Sequence, residues 1–374
     1  MEGRMSGPSE ELSPPSPPSS TRRLPIWLLV VFGIVAVVLA GAAGGAIVAA
    51  THHSDHDFSH ISCNSSSVAE RGLPSVVTIQ VQAGSAGGSG SGEVISDDGY
   101  ILTNNHVISA AANDGSITVI FTDGESVPAH LVGRDISTDL AVVRVDNSPS
   151  LKPIPWGDSS KLIIGQPVVA LGAPLGLSST VTSGIVSALG RSVNVPADNG
   201  RTALIVSAIQ TDTAINPGNS GGALVDCLGN LIGIPTAGAS VPNPQGGGSV
   251  GNIGIGFAIP ANFAHTISEE LIANGKVTHS SFGVRVVPLS ATAGQQSGAE
   301  SGLFVVGTTP GGPAATAGLQ AGDVITKLGD ETVTSVDQLQ AATLTKRPGD
   351  TVKVTFKRDG AEHTVELILG SQPA

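Results

Sequence analysis

The sequence predicts a mostly β protein, in which two consecutive all-β units pack as barrels and a smaller unit follows them. The first observation is composition: 49 glycines and 24 prolines with only 3% aromatic residues are typical of short strands joined by tight turns. The second is a series of short apolar runs, broken by Gly, Asp and Asn, that continues to residue 260 without alternating helices. The third is an uncharged apolar segment near the N-terminus, which predicts a transmembrane helix.

The apolar segment covers residues 26–50, and none of its 25 residues is charged. As a helix it would be roughly 38 Å long, which exceeds the bilayer core of about 30 Å. Arg22 and Arg23 precede it, so the positive-inside rule predicts a cytoplasmic N-terminus and an extracytoplasmic remainder. A cleaved signal peptide with its site near residues 40–42 is the alternative. The length of the run and of its leader favours an uncleaved single-pass anchor in the cell membrane, at residues 25–50.

Two polar segments flank the predicted anchor. Residues 1–24 are rich in Pro and Ser and are predicted to be a disordered cytoplasmic tail, because they cannot bury a core. Residues 51–72 are predicted to be a stalk, and four of the nine histidines lie in it, at positions 52, 53, 56 and 60. The usual cysteine partners are missing and the spacing fits no standard zinc site, so we predict a solvated linker, no metal and no cofactor. The net charge of −12 argues against nucleic acid as a partner.

The two predicted barrels span residues 73–265. In the first, the apolar runs are 75–82, 91–108, 117–135 and 140–146, and the tetrapeptides DDGY and TDGE carry the Asp-Gly signal of hairpin turns. A Pro-rich link follows, and the same texture then returns in the second unit. Residues 261–277 have apolar positions at helical spacing, with Gly275 near the end. The end of this helix, 266–279, is predicted to be a linker to the third unit, 280–371.

Three residues in the barrels suggest nucleophilic catalysis. His106 lies at the end of a predicted apolar strand, Asp139 directly precedes another, and Ser220 lies in the glycine-rich turn NPGNSGG. Each alone is more often structural, but together they give the chain order His, Asp, Ser of one known catalytic triad. A serine hydroxyl needs an imidazole to take its proton, and the imidazole needs a carboxylate to fix its tautomer. Small residues let backbone N–H groups approach an oxyanion, which predicts an oxyanion hole at Gly218, Asn219 and Ser220. Gly218 and Ser220 are its predicted donors, and Asn219 lies between them.

Several motifs in order resemble those of the HtrA/Deg serine proteases: TNNHVI, TDLAVVRV, GAPLGLSSTVTSGIVSALGR, TDTAINPGNSGGAL and GFAIP. The resemblance covers roughly residues 73–265. It implies a chymotrypsin-like double β-barrel, assembled as a trimer or a multiple of trimers, that cuts unfolded or damaged proteins outside the cytoplasm. It also implies that Ser220 is the nucleophile, His106 the general base and Asp139 the orienting carboxylate.

Four positions bear on specificity and activation. Ala214 and Ile215 lie shortly before the serine, where this fold places its specificity pocket, and neither is charged. We therefore predict cleavage after small or medium aliphatic residues. Pro235 stands where the family pattern leads us to expect Asn, and it removes a backbone donor near the pocket. Asn219 has no charge to pair with a newly cut N-terminal amine, so activation by N-terminal cleavage is not expected.

Residues 280–371 resemble a PDZ domain, most clearly in GPAATAGLQAGDVITKLGD. The resemblance implies a small α+β domain whose groove takes up C-terminal peptides as an added strand. Ser281, Phe282, Gly283 and Val284 match the loop that holds the peptide carboxylate. We predict that peptide binding regulates the protease, with Gly275 as a hinge. The alternative is a small domain that only packs on the barrels.

The chain has two cysteines, Cys63 and Cys227, and both follow the predicted anchor. An extracytoplasmic compartment permits disulfides, so we predict that they pair; two unrelated thiols are the alternative. The predicted function is a membrane-anchored serine endopeptidase of protein quality control. A chaperone-like or scaffold protein that binds unfolded chains without cutting them is the alternative, and the presence of all three triad residues favours the enzyme.

Overall fold

The computed structural model describes residues 63–146, 150–173, 179–216, 218–242, 249–290, 292 and 299–372. The predicted cytoplasmic tail, the predicted anchor at 25–50 and the four stalk histidines lie outside the described residues. Within the described part of the chain, no helix has the length and apolar character needed to cross a bilayer.

The first barrel closes with the strand order β1-β2-β3-β6-β5-β4. Its strands are β1 (Val76–Ala83), β2 (Ala86–Val94), β3 (Tyr100–Thr103), β4 (Ser116–Ile120), β5 (Ser126–Asp135) and β6 (Leu140–Arg144). All neighbours are antiparallel, and side chains such as Ile79, Ile101 and Val143 fill the interior. Gly99 and Gly124 have φ values of 85° and 90° in the β2–β3 and β4–β5 turns, so both Asp-Gly predictions are confirmed.

The second barrel closes with the strand order β10-β11-β12-β9-β8-β7. Its strands are β7 (Pro167–Gly172), β8 (Thr180–Pro196), β9 (Thr202–Thr211), β10 (Ala223–Val225), β11 (Leu231–Pro242) and β12 (Ser249–Pro260). The predicted pair of barrels is thereby confirmed. Residues of both barrels, such as Leu102, Leu171 and Val225, share one buried apolar cluster, so the two barrels pack against each other.

Among the residues that the structure describes, the two-barrel unit has three α-helices: α1 (Ser65–Gly72), α2 (Asn105–Ile108) and α3 (Ala261–Asn274). Helix α3 is the one predicted at 261–277, and Ala264, Ile267 and Leu271 bury its apolar face in the cluster between the barrels. The expected boundary at residue 265 therefore falls inside a packed helix. Gly275 ends α3 with φ 70°, and a Cβ on Gly133 would lie 2.5 Å from its carbonyl oxygen. Gly275 is thus a tightly packed cap, which argues against the predicted hinge.

The C-terminal unit contains a six-stranded sheet with the order β14-β15-β16-β18-β19, in which β17 pairs with β16. The six strands of this sheet are β14 (Val284–Pro288), β15 (Leu303–Thr308), β16 (Val324–Leu328), β17 (Glu331–Thr332), β18 (Thr351–Arg358) and β19 (Ala361–Ile368). Strands β13 (Ser280–Ser281) and β20 (Gly370–Ser371) form a separate two-stranded antiparallel sheet. The helices of the C-terminal unit are α4 (Pro313–Thr316) and α5 (Val336–Thr345). Strand β14 is an edge of the six-stranded sheet, so its outer side is not paired with another strand of the described chain.

Candidate active site

His106 and Asp139 are in direct contact. His106 lies on α2, just after β3, and Asp139 ends the turn between β5 and β6. The Nδ1 atom of His106 lies 2.8 Å from Oδ2 of Asp139, and the backbone N–H of His106 donates to Oδ1 at 3.0 Å. The carboxylate is almost fully buried, whereas the imidazole is 36% exposed. The contact through Nδ1 leaves Nε2 of His106 to face a different partner.

The backbone of Asp139 is held in an unusual conformation. Its φ of 58° lies in the left-handed region, which Asp adopts more readily than most residues but at some energetic cost. The side chain of Asn104 donates to the carbonyl of Asp139 at 2.8 Å, and the N–H of Asn105 donates to the same oxygen at 3.1 Å. The two asparagines before His106 therefore fix the turn that carries its carboxylate partner.

Thr236 is a site residue that sequence reasoning missed. It lies on β11 of the second barrel and is buried, and its hydroxyl lies 2.5 Å from Oδ2 of Asp139. Its carbonyl oxygen accepts a hydrogen bond of 3.4 Å from Oγ of Ser220. Thr236 thus joins Asp139 to Ser220. In the sequence, Thr236 is marked only by its position next to Pro235, which departs from the family pattern near the specificity pocket.

The surroundings of His106 raise its pKa. Burial alone lowers the pKa, but the hydrogen bond and charge of Asp139 outweigh this, and the negative charge of Asp198 adds to the upward shift. Asp198 lies in the β8–β9 connection and forms an ion pair with Arg134. Asn105 donates to Asp198 at 3.2 Å and accepts from Arg134 at 3.3 Å. A second carboxylate is therefore anchored close to the imidazole.

The glycine-rich turn carrying Ser220 packs tightly against the first barrel. Gly221 has φ 78°, and a Cβ there would lie 2.3 Å from Oγ1 of Thr103 and 2.4 Å from the carbonyl of Ser91. The N–H of Ser91 donates to the carbonyl of Ser220 at 2.9 Å, and its hydroxyl donates to the carbonyl of Gly218 at 2.6 Å. These contacts fix the serine turn of the second barrel against the first. In this state Ser220 Oγ donates to Thr236, and no described hydrogen bond joins it to His106.

The three residues of the predicted oxyanion hole differ in the partners of their backbone N–H groups. The N–H of Asn219 donates to the carbonyl of Asn216 at 3.0 Å, so it is not available to a ligand. Among the described hydrogen bonds, none engages the N–H of Gly218 or of Ser220. Gly218 adopts φ 100°, a backbone conformation that suits glycine. Gly218 and Ser220 therefore stay the predicted donors of the oxyanion hole.

Comparisons with known proteins match both the two-barrel unit and the C-terminal unit. A trypsin-like peptidase domain matches residues 90–234, and a PDZ domain matches residues 280–369. The serine protease PepD of Mycobacterium tuberculosis is 44% identical over 310 residues, which are 81% of this chain and 65% of PepD. The Do-like HtrA serine protease of Lactococcus lactis is 43% identical over 281 residues, 73% of this chain and 67% of the relative. The solved structure of the HtrA-type protease AlgW with a decapeptide is 33% identical, with a TM-score of 0.67, over 83% of this chain and 99% of AlgW.

The chain belongs to the HtrA family of trypsin-like serine proteases, with one PDZ domain. It spans slightly less than two thirds of the length of PepD. In this HtrA protein the loop residues Ser281, Phe282, Gly283 and Val284 precede or begin the edge strand β14. The side chain of Phe282 is buried in the core of the PDZ domain, so it shapes the loop from inside. The N–H of Gly283 donates to the hydroxyl of Ser281 at 3.1 Å.

The two residues expected at the specificity pocket of this HtrA protein differ in burial. Ala214 is half-buried, and its carbonyl accepts from the side chain of Asn219 at 3.1 Å. Ile215 is buried in the core of the second barrel, and a Cβ on Gly256 of β12 would lie 2.5 Å from its side chain. Pro235 lies where the β11–β12 register shifts, and its carbonyl accepts from Gly221 at 2.9 Å. The irregular register accommodates its missing N–H.

Cys63 and Cys227 of this HtrA protein form a disulfide, with a Cα separation of 4.9 Å. The bond links Cys63, two residues before α1, to the β10–β11 turn. Arg71 reinforces the link, because its guanidinium donates to the carbonyls of Cys227 and Leu228 at 3.0 and 3.2 Å. The segment that leads from the N-terminal region is therefore fixed to the second barrel.

Proposed function

We propose that this HtrA protein is an extracytoplasmic serine endopeptidase of protein quality control, with Ser220 as nucleophile, His106 as general base and Asp139 as orienting carboxylate. The observation that carries the proposal is the chain of contacts from His106 through Asp139 and Thr236 to Ser220. It supports the proposal because it joins the three required groups across the two barrels in one partly buried network.

The first step in this proposal is attack of Ser220 on the substrate carbonyl. Oγ of Ser220 rotates from the carbonyl of Thr236 toward Nε2 of His106, which takes its proton as the O–C bond forms. Asp139 keeps the remaining proton of the ring on Nδ1 and stabilises the imidazolium. A rotation of this kind is consistent with the looser geometry that free enzymes often have.

The second step is collapse of the tetrahedral intermediate. Its oxyanion accepts from the N–H groups of Gly218 and Ser220, each worth roughly 3–4 kcal/mol in favourable cases. His106 returns the proton to the leaving amine, so the peptide bond breaks and an acyl-enzyme remains. Water then attacks this ester with the same base, which releases the acid product and restores Ser220.

The test is casein digestion by the purified full-length chain. Ser220→Ala should lower the rate by a factor on the order of 10⁶, because the nucleophile is lost. Ser89→Ala, at an exposed serine of β2, is the matched control and should leave the rate unchanged. If the chain suppresses aggregation of unfolded proteins but cuts none, the chaperone-like alternative replaces the endopeptidase.

We further propose cleavage after small or medium aliphatic residues. Ile215 fills the space beside Gly256 with an apolar side chain, and neither Ala214 nor Ile215 can neutralise a charge. Such a pocket cannot compensate the desolvation of Lys or Arg. A peptide-library profile dominated by cuts after basic residues would rule this out.

We propose that the PDZ domain binds C-terminal peptides along β14. The free edge of β14 supports this, as does the existence of a solved structure of AlgW with a decapeptide. A bound carboxylate would compete with Ser281 for the N–H of Gly283. Titration with apolar C-terminal peptides should give saturable binding, whereas the same peptides with amidated C-termini should not bind.

The anchor at residues 25–50, the cytoplasmic N-terminus and a homotrimer remain part of the proposal. The uncharged segment preceded by Arg22 and Arg23 supports the anchor. The relatives from Haemophilus influenzae and Escherichia coli are named as periplasmic proteases, which supports the extracytoplasmic side. Resistance of the membrane-bound chain to alkaline carbonate extraction tests the anchor, and its mass in detergent tests the trimer.

A further inference from the structure

His279, just before the PDZ strands, contacts the turn that carries Asp139. Its Nε2 lies 2.9 Å from Oδ2 of Asp135, and both side chains are 7% exposed. Asp135 ends β5 and pairs with Leu140 across the turn, so Asp139 lies between these two paired residues. A side chain from the C-terminal part of the chain is therefore buried at the base of the catalytic turn.

Asp135 organises that turn from within. Its Oδ1 accepts from the N–H of Ser137 at 3.2 Å, and its Oδ2 accepts from the hydroxyl of Thr138 at 2.5 Å. The left-handed φ of Asp139 is retained only if its surroundings hold it. The Asp135 carboxylate supplies part of this support, and His279 shares Oδ2 with Thr138. Loss of His279 would leave a buried carboxylate with one partner fewer.

The backbone of His279 belongs to the PDZ side of the contact. Its carbonyl accepts from the N–H of Gln372 at 2.9 Å, and the next residue pairs with Ser371 as β13 joins β20. The main chain of His279 is thus fixed to the PDZ domain, whereas its ring is fixed to the protease. Any displacement of the PDZ domain relative to the barrels would act directly on Asp135.

A second contact reaches the same turn by another route. Leu344 of helix α5 packs with Leu204 and Val206 of β9 in one buried cluster. The N–H of Leu204 donates to the carbonyl of Ser137 at 3.1 Å. Helix α5 therefore packs against the strand that contacts the catalytic turn. The C-terminal unit thus contacts this turn directly through His279 and indirectly through β9.

We propose that His279 is a positioning residue, which acts through Asp135 to hold Asp139 against His106, so that docking of the PDZ domain supports catalysis even without a bound peptide. This inference rests on the proposed role of the triad. It predicts that the turn of residues 135–139 links PDZ position to proteolysis, and that contacts elsewhere between the domains do not.

The chain offers a matched control at the same domain contact. Arg347 pairs with Oε2 of Glu270 on helix α3 at 2.8 Å, and the other oxygen of Glu270 accepts from the N–H of Thr278 at 2.6 Å. Neither Arg347 nor Glu270 forms a described hydrogen bond to the turn of residues 135–139. Arg347→Ala removes one docking contact without touching the turn. His279→Ala removes the contact to Asp135, and His279→Gln keeps a donor at a similar reach.

The experiment measures the full chain on a short chromogenic peptide that cannot reach the PDZ groove. His279→Ala should lower kcat by about 10- to 100-fold, as expected for misplaced catalytic groups, with little change in KM. The acid limb of its kcat/KM profile should move to lower pH, because a displaced Asp139 raises the pKa of His106 less. His279→Gln should recover most of kcat, and Arg347→Ala should match the wild type in both readouts.

Several outcomes would overturn the proposal. One is that His279→Ala changes kcat by less than about two-fold, which is less than about 0.5 kcal/mol in activation free energy, and leaves the pH profile unchanged. Another is that Arg347→Ala lowers kcat as much as His279→Ala does, since docking in general would then be responsible. If His279→Ala fails to fold, His279→Gln is compared with the wild type instead. A loss of kcat of about 10- to 100-fold in His279→Gln would contradict a role for the hydrogen-bond donor.

A failure of the proposed function is separately visible. If the wild type shows no Ser220-dependent hydrolysis, the endopeptidase is wrong. The pKa of His106, followed by NMR of histidine-labelled protein in the Ser220→Ala background, still tests the inference. A lower pKa of His106 in the His279→Ala chain, with a wild-type pKa in the His279→Gln chain, supports it, and an unchanged pKa in the His279→Ala chain contradicts it.

Discussion

The hydroxyl of Thr236 lies 2.5 Å from Oδ2 of Asp139, so a strand of the second barrel contacts the carboxylate carried by the first. The same carboxylate oxygen lies 2.8 Å from Nδ1 of His106. Because the serine turn belongs to the second barrel, this contact fixes the two halves of the candidate site relative to each other. Thr236 thereby links the two barrels at the candidate site.

Thr236→Val should weaken the site while keeping its shape. The variant removes one hydrogen bond to a charged group, so we expect a loss of about 1.5–3 kcal/mol in unfolding free energy. We also expect lower kcat, because Asp139 is less firmly held. Thr236→Ser retains the hydroxyl and is the control. Equal kinetics for the Val and wild-type chains on a short peptide would show that the contact is dispensable.

Asp198→Asn should shift the pH dependence of hydrolysis without removing activity. His106 must be neutral to act as base, so kcat/KM rises with pH through its pKa. The charge of Asp198 contributes to raising that pKa, and removing it should move the acid limb to lower pH. Asp330→Asn, in an exposed turn of the PDZ domain, should leave the profile in place. If the acid limb of the Asp198→Asn profile stays at the same pH or moves to higher pH, the role assigned to Asp198 is wrong.

Glu93 is a buried carboxyl that the proposed mechanism does not use. It is fully buried, neither of its oxygens has a hydrogen-bond partner in the described structure, and burial raises its pKa well above the ordinary value. Its register partners Val76 and Leu102 belong to the apolar cluster between the barrels. The folded state therefore binds this proton more tightly than the unfolded state does. The contribution of protonated Glu93 to the unfolding free energy is fully present below the ordinary pKa of 4.5 and is lost as pH rises through the pKa of Glu93 in the folded state.

Glu93→Leu should therefore stabilise the protein. Removing an unpaired buried polar group should add about 1–3 kcal/mol to the unfolding free energy at pH 8. The gain should shrink as pH approaches 4.5. Glu93→Gln should remove the pH dependence of the unfolding free energy that the Glu93 carboxyl causes, but it leaves buried polar atoms without partners. Urea unfolding at several pH values measures this, and a Leu variant less stable than the wild type at pH 8 would refute it.

The Cys63–Cys227 disulfide should contribute substantially to stability. The cysteines are 164 residues apart, and in the chain-entropy model a loop of that size corresponds to about 5 kcal/mol at most. The double variant Cys63→Ser/Cys227→Ser should unfold at lower denaturant than the oxidised wild type. Under reducing conditions the two chains should unfold together. Coincident curves without reductant would mean that the bond adds nothing to stability.

Local patterns were sufficient to predict the two barrels. Apolar runs and Asp-Gly turns such as those at Gly99 and Gly124 depend on neighbours in the sequence. The sequence suggested that His106 ends a strand, but β3 stops at Thr103 and His106 lies on a short helix. The reason is tertiary: Asn104 and Asn105 bond to the carbonyl of Asp139 and turn the chain there.

The residues that sequence reasoning missed act through distant partners. Thr236 and Asp139 are 97 positions apart, and His279 and Asp135 are 144 apart. No local pattern records such a pairing. The engagement of the Asn219 N–H by Asn216 depends on the conformation of the turn rather than on its composition. Chemical type and chain order therefore suffice to propose the candidate triad, whereas its supporting contacts required the fold.

The most direct test of the central claim is covalent labelling of the full chain with diisopropyl fluorophosphate, located by mass spectrometry. An activated serine displaces fluoride and forms an O–P bond, whereas ordinary serines do not react. We expect one adduct, on the peptide containing Ser220, which forms far more slowly in His106→Ala. Labelling at another serine, or labelling of Ser220 at the same rate without His106, would contradict the assignment of the triad.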